Sequence, residues 1–278
     1  MKIYRFIPFL FFIICISVLI YSYLGWKSKL ENVLSSQTPS HSVDNHNFDS
    51  NPKLNSTVED TNTLDNKNLT LKQIESLSRN MDSDIAQLFI TKYNSDETLR
   101  MLLIGSTSLE AGGDGGAAGL TKSKLKELYG DFIDIDIIIS DGTSQDFIDT
   151  IDENINWNNK YDLLIIEPFT LNNNGKVVIE DEHQHILMID EHLKRFNNEA
   201  VLIITPSQPI LKPNFYLLQI NTLKQFALEN EIHIIDHWDN WPDVKTDELL
   251  SYLNEESLPN SLGAKAWADA LLSYFIGE

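Results

Sequence analysis

The chain has 278 residues, 42% of them apolar, with 41 acidic against 21 basic side chains and a formal net charge of −20. Twelve Gly, nine Pro and one Cys exclude collagen-like, proline-rich and disulfide-scaffold classes, and a pI near 4.6 argues against an electrostatic nucleic-acid binder. The charge is unevenly placed: Lys2, Arg5, Lys27 and Lys29 precede the first acidic residue, Glu31, so from there onward 17 basic residues face 41 acidic ones, a balance of −24.

The first element is the uncharged run of 21 residues from Phe6 to Trp26. At about 1.5 Å rise per residue it reaches roughly 30 Å, the hydrocarbon thickness of a bilayer. It ends in Tyr21, Tyr23 and Trp26, which suit a membrane interface, and lacks the small-residue cleavage site of a secretory signal. An uncleaved signal anchor over residues 1–30 is expected, its domain held outside by the short N-terminus and the long acidic remainder. Cys15 lies within the run without a lipobox, so no cysteine remains for the outer part. Residues 31–70 contain 23 Ser, Thr, Asn or Asp in 40 and no Gly, the composition of a solvated, disordered tether. The sequons Asn55-Ser56-Thr57 and Asn68-Leu69-Thr70 matter only in a host that glycosylates them.

Residues 71–278 suffice for one α/β domain. Two short amphipathic helices, 71–79 and 82–94, come first. Then apolar runs of strand length at 100–104, 132–139, 161–166, 200–205 and 231–235 alternate with helix-periodic stretches at 118–129, 144–155, 181–196 and 213–230. Further helices are expected at 247–253 and 261–276. This order predicts a five-stranded, parallel, doubly wound sheet covered on both faces by helices through right-handed crossovers. In such a sheet the ligand crevice lies beyond the carboxyl ends of the strands, where strand order reverses. The loops there carry Gly105-Ser106-Thr107-Ser108, Asp141-Gly142-Thr143-Ser144, Glu167 to Asn174, Pro206-Ser207-Gln208-Pro209 and Asp236-His237-Trp238-Asp239. Any one of these also reads as ordinary caps and turns.

Taken together the loops resemble the SGNH or GDSL hydrolase family, which implies a flavodoxin-like three-layer α/β/α sandwich, and whose members cleave esters on lipids, glycans and small acyl compounds. The family's strand–Gly-Asp-Ser block meets LLIGSTSLEAGG, with Gly105, Ser106 and Thr107 in the three slots and Ser108 next. Its oxyanion glycine meets Gly142 in SDGTS. Its Gly-x-Asn-Asp block meets YDLLIIEPFTLNNNG, where Asn172 and Asn173 fall on the last two letters and Thr170 on the glycine. Its final Asp-x-x-His, Pro-Asn, Gly and Trp-Ala series meets Glu255-Glu256-Ser257-Leu258, Pro259-Asn260, Gly263 and Trp267-Ala268.

Ester cleavage by this route needs a hydroxyl nucleophile, a base and preorganised oxyanion donors. The resemblance implies Thr107, or its neighbours Ser106 or Ser108, as nucleophile and Gly142 and Asn172 as donors. Leu258 occupies the histidine slot and accepts no proton. Three options remain open: His237 beside Asp236 as substitute base, His183 or His185 less directly, or no base and a domain that binds without cleaving. His233 and His192 read as structural. Trp238, Trp241 and Phe169 are candidates to line an apolar or sugar-stacking crevice.

Six of the twelve glycines fall between Gly105 and Gly119. Gly113-x-Gly115-x-x-Ala118, with Asp141 as a ribose ligand, satisfies a loose dinucleotide fingerprint, but eight residues separate it from Ile104, where the turn should begin. These glycines are expected to form a flexible lip to the crevice. The acidic and histidine groups at 236–243 and 180–185 lack tight ligand spacing and read as solvated faces, so neither metal nor cofactor is expected. Two readings stand: a membrane-anchored, outward-facing hydrolase of an ester or O-acetyl group on a cell-envelope glycan or lipid, and a non-catalytic binding module of the same fold.

Overall fold

The computed structural model describes residues 69–277. The anchor expected at Phe6–Trp26 and nearly all of the 31–70 tether lie outside these residues; among the described ones, no helix is long and apolar enough to cross a membrane.

Five parallel strands form one sheet: β1 (Leu99–Ser106), β2 (Ile133–Ser140), β3 (Leu163–Ile166), β4 (Val201–Ile204) and β5 (His233–Ile234), in the order β2-β1-β3-β4-β5. The apolar runs of the sequence form these strands because both faces are covered. Met101, Leu103, Leu163 and Ile165 enter one core cluster, and the intervening Leu102, Ile104, Leu164 and Ile166 enter another. The first cluster is completed by α1 (Leu71–Leu77), α2 (Ser83–Asn94), α4 (Gly116–Tyr129) and α10 (Ser261–Phe275). The second is completed by α5 (Ser144–Asp149), α6 (Ile151–Asn154), α8 (Ile179–Phe196) and α9 (Asn214–Glu229). Two single-turn helices, α3 (Thr107–Glu110) and α7 (Thr170–Asn173), follow β1 and β3. The doubly wound parallel sheet expected from the order of elements, and the three-layer flavodoxin-like fold implied by the resemblance, are the ones observed.

Three elements differ from expectation. The helix expected over 144–155 breaks at Thr150, whose hydroxyl donates to Asp146 O at 3.0 Å and whose backbone leaves the helical region. The stretch near 247–253 is a 3₁₀ helix, Asp247–Tyr252. β5 starts only at His233 because Glu231 turns the chain through a positive φ of 55°.

The glycine-rich segment is also more constrained than a flexible lip. Gly112 has φ 103°, and a Cβ there would sit 2.5 Å from Asn260 O and 2.7 Å from the Ala264 methyl. The segment thus packs against the start of α10, with Gly113 alone facing open space.

Candidate active site

Strand order reverses between β1 and β3, so the turns leaving these strands bound the crevice. β1 ends at Ser106, which caps α3 by accepting from Ser108 N at 3.4 Å. Ser106 and Ser108 are each 2% exposed, whereas Thr107 is half-buried, and its hydroxyl has no hydrogen bond among the described residues. Of the three hydroxyls the sequence offers, Thr107 is thus the open one.

Gly142 and Asn172 meet on the neighbouring loops, but as partners of each other. Asn172 Nδ2 donates to Gly142 O at 2.8 Å and Asp141 O at 3.2 Å, while Gly142 N–H donates to Ser140 Oγ at 3.3 Å. Both amide hydrogens of Asn172 are therefore spent on carbonyls, and the side chain clamps two loops. This opposes its expected role as oxyanion donor, which needs a free N–H.

The expected role of His237 meets a similar obstacle. Its ring is fully buried and stacks on Trp267 at 4.2 Å with planes 10° apart. Nε2 lies 2.7 Å from Pro206 O, which only accepts, so Nε2 carries the proton; Nδ1 accepts the indole N–H of Trp241 at 2.8 Å. Burial pushes its pKa down to about 4. The lone pair a base would use is committed to Trp241, and His237 is corrected to a packing residue. Trp241 and Phe169 are likewise core residues, 6% and 0% exposed. Only Trp238 stays half-buried, donating to Ser207 O at 2.9 Å beneath the Lys224 ammonium.

The residue the sequence reading passed over is Glu167, which directly follows the wholly buried LLII of β3. Its side chain is fully buried and accepts from Ser106 N at 2.6 Å, from Phe169 N at 3.0 Å and from the Ser207 hydroxyl. One carboxyl group thus ties together the turns after β1, β3 and β4. Gly105 makes room for it: a Cβ there would lie 2.9 Å from both Glu167 Cβ and Leu109 Cδ2. Burial raises the Glu167 pKa against the opposing pull of its hydrogen bonds. A charged residue closing an apolar strand, where a neutral one would be cheaper to bury, was the available signal.

A second buried carboxyl stands behind it. Glu182, read as part of a solvated acidic face, is 3% exposed and accepts from Thr170 Oγ1 at 2.8 Å and Asn173 Nδ2 at 2.7 Å. Burial pushes its pKa up to about 7. Asn173 continues the chain by accepting Ser144 N at 2.8 Å, and the Ser144 hydroxyl reaches His185 Nδ1 at 2.8 Å. The acidic start of α8 turns inward here because Glu182 and His185, three apart, share the helix face towards α5 and α7. Among the described residues the other histidines hold structural contacts: His183 stacks on Phe226 at 4.2 Å, His192 lies 2.8 Å from Met188 O, and His233 pairs with Asp82 and Asp84 at 3.0 and 2.8 Å.

Leu258 sits half-buried in a tight loop, its N–H bound to Asn254 Oδ1 at 2.9 Å, and offers no acceptor. After it, Asn260 caps α10, and Trp267 Nε1 donates to Thr205 Oγ1 at 2.8 Å.

Solved structures share this arrangement of sheet and helices. A G-D-S-L-family lipolytic protein from Desulfitobacterium hafniense superposes with a TM-score of 0.51 at 18% identity, covering 64% of this chain and 99% of its own. The chain has the SGNH hydrolase fold. An acetylxylan esterase from Geobacillus stearothermophilus gives a TM-score of 0.51 at 16% identity, covering 64% and 94% of the two chains. A carbohydrate esterase family 3 protein from Talaromyces cellulolyticus gives 0.51 at 14%, covering 63% and 94%. No protein-family model and no curated protein matches the sequence. β3 ends at Ile166, and Phe169, in the turn that follows, adopts a positive φ of 62°.

Proposed function

We propose that the domain is an SGNH-fold hydrolase that cleaves an ester or O-acetyl group on a cell-envelope glycan or lipid, held outside the cell by an N-terminal membrane anchor. The observation that carries the reading is the Ser106–Thr107–Ser108 turn at the strand-order reversal, with the Thr107 hydroxyl open and unpartnered among the described residues. The names of the acetylxylan and carbohydrate esterases of the same fold support an acyl group on a sugar. The uncharged Phe6–Trp26 run supports the anchor.

The test uses the full chain in detergent micelles, with p-nitrophenyl acetate and an O-acetylated cell-wall glycan as substrates. Release of p-nitrophenol and acetate above the uncatalysed rate is expected, together with shaving of the domain from intact cells by protease. A chain that turns over neither substrate is not this hydrolase. The second reading, a glycan-binding module, is favoured by Leu258 in the histidine slot and by the committed nitrogens of His237. It predicts retention of the glycan with no acetate released.

A further inference from the structure

The segment Asp152-Glu153-Asn154-Ile155-Asn156-Trp157-Asn158 is polar except for two residues, and it leads from α6 towards the amino end of β3. Its aromatic residue, Trp157, folds inward against the end of α8, with its ring 5.9 Å from that of His192 and stacked on Phe196 at 6.0 Å with planes 12° apart. His192 and Phe196 are four apart and so share a helix face. A cavity of about 390 Å³ opens here, its walls including Asp152, Glu153, Asn156, Trp157, Asn158 and Phe196. That is the volume of a small-molecule site. Because the five strands are parallel, their amino ends form the edge opposite the crevice, and the eight residues of β1 set the two edges roughly 25 Å apart.

The walls define the chemistry of an occupant. Trp157 is 5% exposed, and its indole N–H has no hydrogen-bond partner among the described residues. A buried donor in that state calls for an acceptor oxygen. The carboxylates of Asp152 and Glu153 are exposed and carry no ion pair or hydrogen bond among the described residues. Carboxylates only accept, so they suit hydroxyl donors and oppose an anionic polymer. Phe196 keeps 38% of its surface, an aromatic plane for an apolar ring face. An ammonium ion fits carboxylates and aromatics but brings no acceptor for the indole. A pyranose ring brings donors, acceptors and an apolar C–H face together. We propose that this cavity is a second, non-catalytic glycan site that takes a short stretch of an uncharged oligosaccharide. Binding there holds a glycan chain on the domain while the Thr107 turn works on another part of it, which raises the local substrate concentration. The gain in turnover rests on the hydrolase reading above; the binding stands without it.

Chitotetraose and xylotetraose, both uncharged, are titrated into the full nitrogen-15-labelled chain in detergent micelles. The indole N–H resonance of Trp157 is identified by its loss in Trp157→Phe. A saturable shift of that resonance is expected with at least one of the two sugars. Asp152→Asn combined with Glu153→Gln changes only exposed side chains, so the fold does not depend on them. The pair is expected to weaken sugar binding about tenfold or more, the size of one or two charge-assisted hydrogen bonds. It also raises KM for the O-acetylated cell-wall glycan relative to that for p-nitrophenyl acetate. No shift of Trp157 with either sugar at millimolar concentration, or a shift produced by choline chloride instead, overturns the site and leaves the hydrolase reading standing. Sugar binding undiminished by the two carboxylate substitutions overturns it as well, and an unchanged KM overturns its part in turnover. A Trp157 shift in a chain that turns over neither substrate keeps the site and overturns the hydrolase.

Discussion

A histidine with both nitrogens engaged and both faces packed contributes through burial and hydrogen bonds, and His237 is in that position. Replacing it with Ala removes the stack on Trp267 and leaves the Trp241 indole N–H and the Pro206 carbonyl without their partner. Loss of about 3 kcal/mol of unfolding free energy is expected in urea denaturation. A catalytic base would give the opposite pattern, lost turnover at unchanged stability. From the sequence, His237 beside Asp236 at a strand end was indistinguishable from a crevice base. What separates the two is whether the ring turns outward or under α10, and Trp241 and Trp267, which decide that, come from segments 4 and 30 residues further on. Glu167 was hidden for a related reason: its three donors come from three different turns.

At the scale of elements, the local chemistry that sequence reading uses was reliable where one residue controls one end. Asn260 is such a case. Its Oδ1 accepts Leu262 N at 2.9 Å and Gly263 N at 3.3 Å, while its Nδ2 donates to Ser251 O at 2.8 Å and Leu253 O at 3.2 Å. Asn260→Ala is expected to cost about 1–2 kcal/mol by thermal or urea denaturation. Asn260→Asp should recover part of that, because it keeps the cap and loses only the donated bonds. The strands were legible as runs rich in apolar residues, β2 included although its Asp134 is exposed, and the helices because their periodicity was long. The break at Thr150 was not, since it depends on a hydroxyl choosing the Asp146 carbonyl over solvent. The clamping role of Asn172 was hidden in the same way, because the carbonyls its Nδ2 bonds, Gly142 O and Asp141 O, come from the loop after β2.

For the whole molecule, buried groups of opposite kind give two pH dependences that oppose each other. Glu182 has a folded pKa near 7 against an ordinary 4.5, so between these values the folded chain holds a proton the unfolded chain releases. Its contribution is present below about 4.5 and is lost as pH rises through 7, a change on the order of 3 kcal/mol. His237, with a folded pKa near 4 against 6.5, works the other way: its contribution is present above 6.5 and is lost as pH falls through 4. The wild-type chain is expected to show a flattened profile across the shared window. Glu182→Gln can keep the bonds to Thr170 and Asn173 while removing the titration, so the variant should gain on the wild type steadily from pH 4.5 to 7. Urea midpoints measured at half-unit steps over that range check this; parallel curves would mean that Glu182 is ionised in the folded chain throughout.

The contact between Gly105 and Glu167 also bears on how this sequence can change over generations. A side chain at position 105 collides with Glu167 Cβ and with Leu109 Cδ2, each 2.9 Å from where its own Cβ would stand. Every residue but glycine carries that Cβ, so shrinking position 167 alone does not release position 105, and a lineage that keeps a side chain at 167 and leucine at 109 also keeps the glycine.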